Sequence, residues 1–188
     1  MDTKPEQTLN HHIEQVLGKK RKFENVFESV SRMILDNDNA FEKRKVNGKT
    51  TYDYSAFRQG KKHLIAMYDE INSLVAFIKD ATEGGSSQEM AYVLVGEPGN
   101  GKTFFVEYLC SLYRNFISQE ENRRFTFQFT NLDKLNDKYG GISEIESQTF
   151  EDPMILAMNL FEGKDRSLEH LSEIGFDDKG IEGLTERY

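Results

Sequence analysis

The segment AYVLVGEPGNGKTFFVEYL, which runs from Ala91 to Leu109, decides the fold of this chain of 188 residues. Its first five residues, Ala91–Val95, form a short apolar run that is typical of a strand buried on both faces of a parallel sheet. Beyond a glycine-rich stretch, apolar side chains recur at three- and four-residue spacing, which predicts an amphipathic helix. These side chains are Phe105, Tyr108, Leu109, Leu112 and Phe116. The order of strand, loop and helix predicts an α/β fold.

The glycine-rich stretch matches the pattern G-x-x-x-x-G-K-[ST] at every fixed position. It consists of Gly96, Glu97, Pro98, Gly99, Asn100, Gly101, Lys102 and Thr103, and we call it the glycine loop. Glycines let the backbone turn sharply, so that successive N–H groups can surround an anion, and the N-terminus of the next helix favours the same negative charge. The pattern therefore predicts that the loop binds the phosphates of a nucleoside triphosphate, as ATP with Mg²⁺.

The last two residues of the glycine loop supply the side chains that act on the ligand. Lys102 can reach the β- and γ-phosphates as a point charge, and the Thr103 hydroxyl can ligate Mg²⁺. Glu97 and Asn100 occupy variable positions and have no catalytic role in this interpretation. A chance match is the alternative, but the strand before and the helix after the loop are the context that the motif requires.

Other segments predict the elements around the loop. Phenylalanines at alternate positions from Phe125 to Phe129 predict a second strand, which lies towards a sheet edge because its other face is polar. Asp152-Pro153 has the form of a cap followed by proline at the first helical position, and predicts a short helix from Met154 to Phe161. A further helix is predicted over Ser167–Ile174.

The N-terminal half of the chain predicts two more helices. Helical spacing of apolar residues runs from Phe23 to Leu35. Asn47-Gly48 is a strong turn signal, but its flanks are polar, so a hairpin and a loop both stay open. Asp69 can cap a helix that Gly84-Gly85 ends. The apolar stripe of that helix consists of Ile71, Leu74, Val75 and Ile78.

Composition excludes several classes of partner. The net charge of −8 disfavours nucleic acid, whose binding draws on clustered Lys and Arg. No apolar stretch reaches the roughly 18 residues of a membrane span, so we expect a soluble cytoplasmic protein with no membrane partner. Cys110 is the only cysteine and is predicted to lie in the core. The four histidines, among them His11, His12 and His63, are predicted to be solvated rather than metal ligands.

The glycine loop resembles an AAA+ type P-loop, in which proline and glycine follow the first variable position. A wider resemblance, over about residues 55–162, is to the AAA domain of the PrkA-type serine protein kinases. It rests on the glycine loop together with Met67-Tyr68-Asp69, Ile71, Leu74-Val75, Phe77-Ile78-Lys79, Ala81 and Glu151-Asp152-Pro153-Met154.

Members of that family carry an AAA-type nucleotide-binding domain followed by a C-terminal kinase region. The resemblance implies an incomplete three-layer α/β sandwich of the P-loop NTPase (AAA+-like) class over residues 55–188, behind an N-terminal helical extension over residues 1–54. It implies the ATP-binding N-terminal part of a PrkA-like serine protein kinase, with ATP and a protein substrate as partners of the full-length protein. It also allows a homo-oligomer.

A complete P-loop NTPase needs an acidic residue at the end of another apolar strand, to hold Mg²⁺ and align water. No such strand follows Phe129, and the nearest candidate, Met154–Glu162, favours a helix because Asp-Pro precedes it. We therefore expect the chain to be the front part of a longer protein and to bind ATP without turnover. Four acidic residues nearby are interpreted as solvated surface rather than as catalytic groups: Glu144, Glu146, Glu151 and Asp152.

Two other functions stay open on the sequence. One is an AAA+ ATPase module that remodels a partner protein, and the other is a non-enzymatic nucleotide sensor. Residues beyond Tyr188 would discriminate among the three, because a kinase region, an acidic strand with an arginine finger, and a stop codon each favour a different one.

Overall fold

A computed structural model of the chain describes residues 7–37, 39–60, 63–64, 67–132 and 142–159. Within these ranges the protein is of mixed α/β composition, with five α-helices and two small antiparallel sheets. The chain divides into two compact units, one formed by residues 24–120 and the other by residues 1–23 with 121–188. None of the helices in the described ranges is long and apolar enough to cross a membrane.

The unit of residues 24–120 begins with helix α2, Val26–Leu35, which follows helix α1 of the other unit (Leu9–Leu17). A capping box sets its start: the Asn25 side chain accepts a hydrogen bond from the Glu28 amide, and the Glu28 carboxylate accepts one from the Asn25 amide. The prediction of a helix in this region is confirmed. It begins three residues after Phe23 because the reciprocal cap satisfies amides that a helix start leaves unpaired.

A β-hairpin follows, with strands β1 (Phe41–Val46) and β2 (Lys49–Tyr54) paired so that Val46 faces Lys49. Asn47 and Gly48 form its two-residue turn with φ of 51° and 78°. A two-residue turn with positive φ at both central residues has a backbone twist that matches the twist of the two flanking strands. Asparagine and glycine adopt this conformation most readily. The turn signal thus produces a hairpin rather than a loop, and the predicted N-terminal helical extension contains this sheet.

Helix α3, Tyr68–Thr82, packs on the hairpin. Asn72 binds the backbone of β2, since its Oδ1 accepts from the Tyr52 amide at 3.0 Å and its Nδ2 donates to the Tyr52 carbonyl at 2.6 Å. The helix buries the predicted stripe of Ile71, Leu74, Val75 and Ile78, and Ala81 extends it. Asp69 lies in the first turn but does not cap the helix, because Met67 is the N-cap residue. Gly84, with φ of 82°, follows its end.

Helix α4, Lys102–Ser118, confirms the helix predicted after the glycine loop. Its Phe105 is 1% exposed and stacks on the equally buried Phe57, with ring centroids 6.4 Å apart. Tyr108 is buried beside them, and its hydroxyl donates to the Gln59 carbonyl at 2.7 Å. Burial raises the pKa of Tyr108. The helix is therefore anchored through its first two turns.

The strand predicted at Ala91–Val95 is not formed in the structure. Tyr92 and Leu94 pack against the core of their unit, whereas Val93 and Val95 are 71% and 91% exposed. No described residue makes a backbone hydrogen bond to this segment. A buried strand needs neighbours on both sides, and the strands formed within the described ranges pair only with each other and not with this segment.

The other unit holds helix α1 and helix α5, Pro153–Asn159, which pack through Ile13, Met154 and Ala157. Asp152 caps α5, as predicted, because its Oδ1 accepts from the Met154 amide at 2.9 Å. Strands β3 (Gln128–Phe129) and β4 (Ile145–Glu146) form a short antiparallel pair. The predicted strand over Phe125–Phe129 is thus formed only at its end. Phe161 and the predicted helix Ser167–Ile174 lie outside the described residues.

Two further predictions about single residues were wrong. Cys110 is exposed, because it lies on the side of α4 away from Phe105 and Tyr108. His12 is only 2% exposed, and its ring bonds the Gln7 Nε2 at 3.0 Å and the Asp152 Oδ1 at 3.1 Å. Its polar partners lie in the folded unit rather than in solvent, which is how a polar ring tolerates burial. Over the described residues, no group of three His, Cys, Asp or Glu side chains could hold a metal ion.

Candidate phosphate-binding loop

The backbone of the glycine loop depends on two of its glycines. Gly99 and Gly101 have φ of 88° and 75°, in the left-handed region that residues with a Cβ rarely adopt. An added Cβ at either position would meet no atom within 4 Å. Glycine is therefore required by the positive φ and not by a lack of room for a side chain. The Asn100 amide donates to the Glu97 carbonyl at 3.4 Å and closes a turn between these residues. The loop pattern thus produces a sharply turned, exposed backbone.

Helix α4 begins directly at the end of this turn, with Gly101 as its N-cap residue. No side chain caps the helix. The amides of Gly99, Gly101, Lys102, Thr103 and Phe104 donate no hydrogen bond to any described residue. Since the helix dipole adds partial positive charge at the same point, the turn presents unpaired donors and a favourable field to an anion.

Lys102 folds back over the loop that precedes it. Its Nζ donates to the Gly96 and Glu97 carbonyls, at 2.7 Å each. The ammonium group is thereby held against the first two residues of the glycine loop. A phosphate oxygen can replace these neutral acceptors with a stronger, charge-assisted hydrogen bond.

Thr103 is the next residue of the first turn, and it is exposed. A threonine hydroxyl is an oxygen ligand of the kind that Mg²⁺ accepts together with phosphate oxygens and water. The residues present therefore fit ATP with Mg²⁺ in two respects, the cluster of unpaired amides and the adjoining Lys102 and Thr103 side chains. Glu97, Pro98 and Asn100 are exposed as well, and they contribute backbone shape.

The segment before the loop is positioned by a contact that sequence reasoning missed. The Tyr92 hydroxyl donates to the Glu70 carbonyl of α3 at 3.1 Å, and its ring packs against Phe77 with centroids 5.4 Å apart. Tyrosine in an apolar run was the available signal, because a partly buried tyrosine usually finds a partner for its hydroxyl. The loop is thus tied to α3 on one side and, through Phe105, to the core on the other.

The acidic residues considered as catalytic candidates do not lie in the unit that carries the loop. Glu144, Glu146, Glu151 and Asp152 all belong to the unit of residues 1–23 and 121–188. The three glutamates are exposed, whereas Asp152 is engaged with His12 and with the start of α5. An acidic residue for Mg²⁺ is therefore not assigned.

Comparisons of this chain with protein-family models, with curated proteins and with solved structures each gave no match.

Proposed function

We propose that this chain binds the phosphates of a nucleoside triphosphate, ATP with Mg²⁺, through the glycine loop. One observation carries the proposal: the left-handed turn at Gly99 and Gly101 leads without a cap into α4, so that five consecutive or near-consecutive amides lack acceptors among the described residues. Anions bind at such helix starts because the donors and the dipole point the same way.

In this proposal Lys102 exchanges partners when nucleotide binds. Its ammonium leaves the carbonyls of Gly96 and Glu97, which lie 2.7 Å away, and bonds phosphate oxygens. Thr103 holds Mg²⁺, which neutralises phosphate charge when it is bound. The loop amides would position the phosphates.

The proposal includes the fold of a P-loop sandwich. Ala91–Val95 is apolar on both sides, and its backbone groups have no partner among the described residues. We propose that this segment is the strand that ends at the glycine loop, and that it pairs with neighbouring strands and is covered over Val93 and Val95 when the sandwich is complete. The resemblance to PrkA-type kinases supports the narrower proposal that the chain is the ATP-binding part of a serine protein kinase.

A nucleotide titration tests the binding proposal. The midpoint of thermal unfolding is measured for the chain at rising ATP, with and without Mg²⁺, for the wild type and for Lys102→Ala, Thr103→Ala and Lys45→Ala. A ligand at about 100 times its dissociation constant stabilises the folded state by roughly 2.7 kcal/mol. We expect Lys102→Ala to remove most of this shift, because a hydrogen bond to a charged group is worth about 1.5 to 3 kcal/mol.

The other two variants test whether the ATP-dependent shift depends on the residues assigned to the ligand. Thr103→Ala should weaken the Mg²⁺-dependent part of the shift more than the metal-free part. Lys45→Ala removes an exposed lysine of β1 and should leave the shift unchanged. A folded wild type that shows no shift at millimolar ATP, or equal binding by Lys102→Ala, would refute the proposal.

A further inference from the structure

A cleft of about 260 Å³ opens in the unit of residues 24–120, and no residue of the glycine loop lines it. Two arginines, Arg44 of β1 and Arg58, line it together with His63 and Tyr68. Its apolar lining includes Phe57 and Leu64, which are 1% and 7% exposed. The volume is close to the lower end of the roughly 300 to 1,000 Å³ of small-molecule pockets.

A buried carboxylate holds both guanidinium groups in place. Asp53, whose side chain is 6% exposed, accepts from the Arg58 Nε at 2.6 Å through Oδ1. Its Oδ2 lies 2.9 Å from the Arg44 Nε and also pairs with the Arg58 Nη2. Because one buried carboxylate holds both guanidinium groups, the two arginine side chains are ordered before a ligand binds. This order lowers the side-chain entropy that is lost on binding.

Both arginines keep donors for a ligand. A guanidinium carries five N–H donors, and Arg58 donates its Nε to Asp53, whereas the Arg44 Nε and the Arg58 Nη2 form ion pairs with the other carboxylate oxygen. The remaining described partner is Glu42, whose Oε2 lies 3.3 Å from the Arg44 Nη2 in an exposed pair. Exposed pairs of this length contribute little and are readily displaced. The side chains of Arg44 and Arg58 are 43% and 39% exposed, so solvent and ligand can reach them.

The N-terminus of α3 lies at the same cleft and adds the positive end of its helix dipole. Met67 and Tyr68, which line the cleft, are its N-cap and first residues, and no side chain caps this helix. The first-turn amides and the helix dipole therefore favour an anion next to the arginines. Asp69 and Glu70 share that turn but do not line the cleft, and Asp69 is paired with Lys49 at 3.4 Å. Asp53 lies between the two guanidinium groups in the cleft, and Glu42 pairs with Arg44 outside the lining.

We propose that this cleft binds a small organic anion. Arg44 and Arg58 hold its phosphate or carboxylate head, and its apolar body lies on the part of the apolar lining that is accessible, which includes Met67. The guanidinium fork matches the oxygens of either head group, and the apolar lining selects for an attached hydrocarbon or ring. The site is separate from the glycine loop, and its ligand does not depend on nucleotide binding.

Isothermal titration of the full chain tests this site with phenyl phosphate, benzoate and the neutral analogue benzyl alcohol. We expect at least one of the two anions to bind, and benzyl alcohol to bind at least about tenfold more weakly. Tighter binding of phenyl phosphate assigns a phosphate head, and tighter binding of benzoate assigns a carboxylate head. Equal binding of all three compounds, or of none, would overturn the proposal.

Variants locate the anion. Arg44→Lys keeps the charge but loses the fork, and should weaken anion binding about tenfold. His63→Ala removes an exposed side chain that lines the cleft and leaves the Asp53 ion pairs intact. We expect it to weaken anion binding less than Arg44→Lys does. It still tests the proposal if Arg44→Lys does not fold. Arg114→Ala, at an exposed position of α4, is the control and should bind as the wild type does.

Lys102→Ala separates this proposal from the glycine loop, since it should leave binding of the tighter anion unchanged. Loss of anion binding in Lys102→Ala would place the anion at the glycine loop and overturn the cleft proposal. Wild-type affinity in both Arg44→Lys and His63→Ala would overturn it as well.

Discussion

The two sides of the glycine loop differ in how firmly they are held. On the helix side, Phe105 is 1% exposed and stacked on Phe57 within two turns of the loop. On the other side, Val95 is 91% exposed, and Ala91–Val95 has no backbone partner among the described residues. A helix satisfies its backbone within itself, whereas a strand needs other strands. The loop is therefore held from its helix side, whereas the segment before it has no backbone hydrogen bonds among the described residues.

The largest expected effect is a difference in the free energy of unfolding between variants of Phe105 and of Val95. Phe105→Ala should lower the free energy of unfolding by about 3 to 5 kcal/mol, because it removes a large ring from the core and leaves a cavity. Val95→Ala should change it by less than about 0.5 kcal/mol, as surface substitutions do. Urea denaturation of both variants measures the contrast. A cost for Val95→Ala above about 1 kcal/mol would show that the segment is covered, and the asymmetry would fail.

A smaller effect is expected within the loop. Gly101→Ala forces an alanine into a left-handed conformation at φ of 75°, and should destabilise the chain by about 1 to 2 kcal/mol. Gly96→Ala is the matched control. Its φ is not in that region, and the nearest atom to an added Cβ is the Lys102 Nζ at 3.8 Å. Thermal unfolding without nucleotide compares the two variants, and equal midpoints would mean that the turn is not held in the conformation described.

The smallest effect concerns the tie between the strand side and α3. Tyr92→Phe removes the hydrogen bond to the Glu70 carbonyl and should cost about 0.5 kcal/mol, at the low end for a hydrogen bond because the group is exposed. The ring contact with Phe77 remains. Tyr52→Phe is the control, since the Tyr52 hydroxyl makes no hydrogen bond to a described residue. Chemical denaturation in replicate measures both, and a cost above about 1.5 kcal/mol would show that this side is held more firmly than we infer.

The same contrast explains how much the sequence could predict. The helical stripe of α3, the helix after the glycine loop and the cap at Asp152 depend on residues within a few positions, and their patterns led to the right elements. The turn at Asn47-Gly48 is equally local, although polar flanks left its hairpin undecided.

Features that depend on distant residues were missed. The burial of His12 needs Asp152, 140 residues away, and its position in the sequence gives no sign of that contact. The exposure of Cys110 depends on which face of α4 meets the core. The cleft joins Arg44 with Asp53 and Arg58 through a hairpin whose formation the polar flanks did not predict. For the loop itself, the motif located the residues, but the position of Lys102 on the Gly96 and Glu97 carbonyls came from the structure.

The unpaired segment Ala91–Val95 also bears on how the chain avoids association with other copies of itself. Five consecutive apolar residues with an unbonded backbone are the kind of segment that pairs with an identical strand and nucleates aggregation. Glu97 and Pro98 follow it after a single glycine, and a charge and a proline next to such a run act as gatekeepers that stop a strand pair from extending. The variable positions of the glycine loop would thus limit association between chains through the unpaired segment.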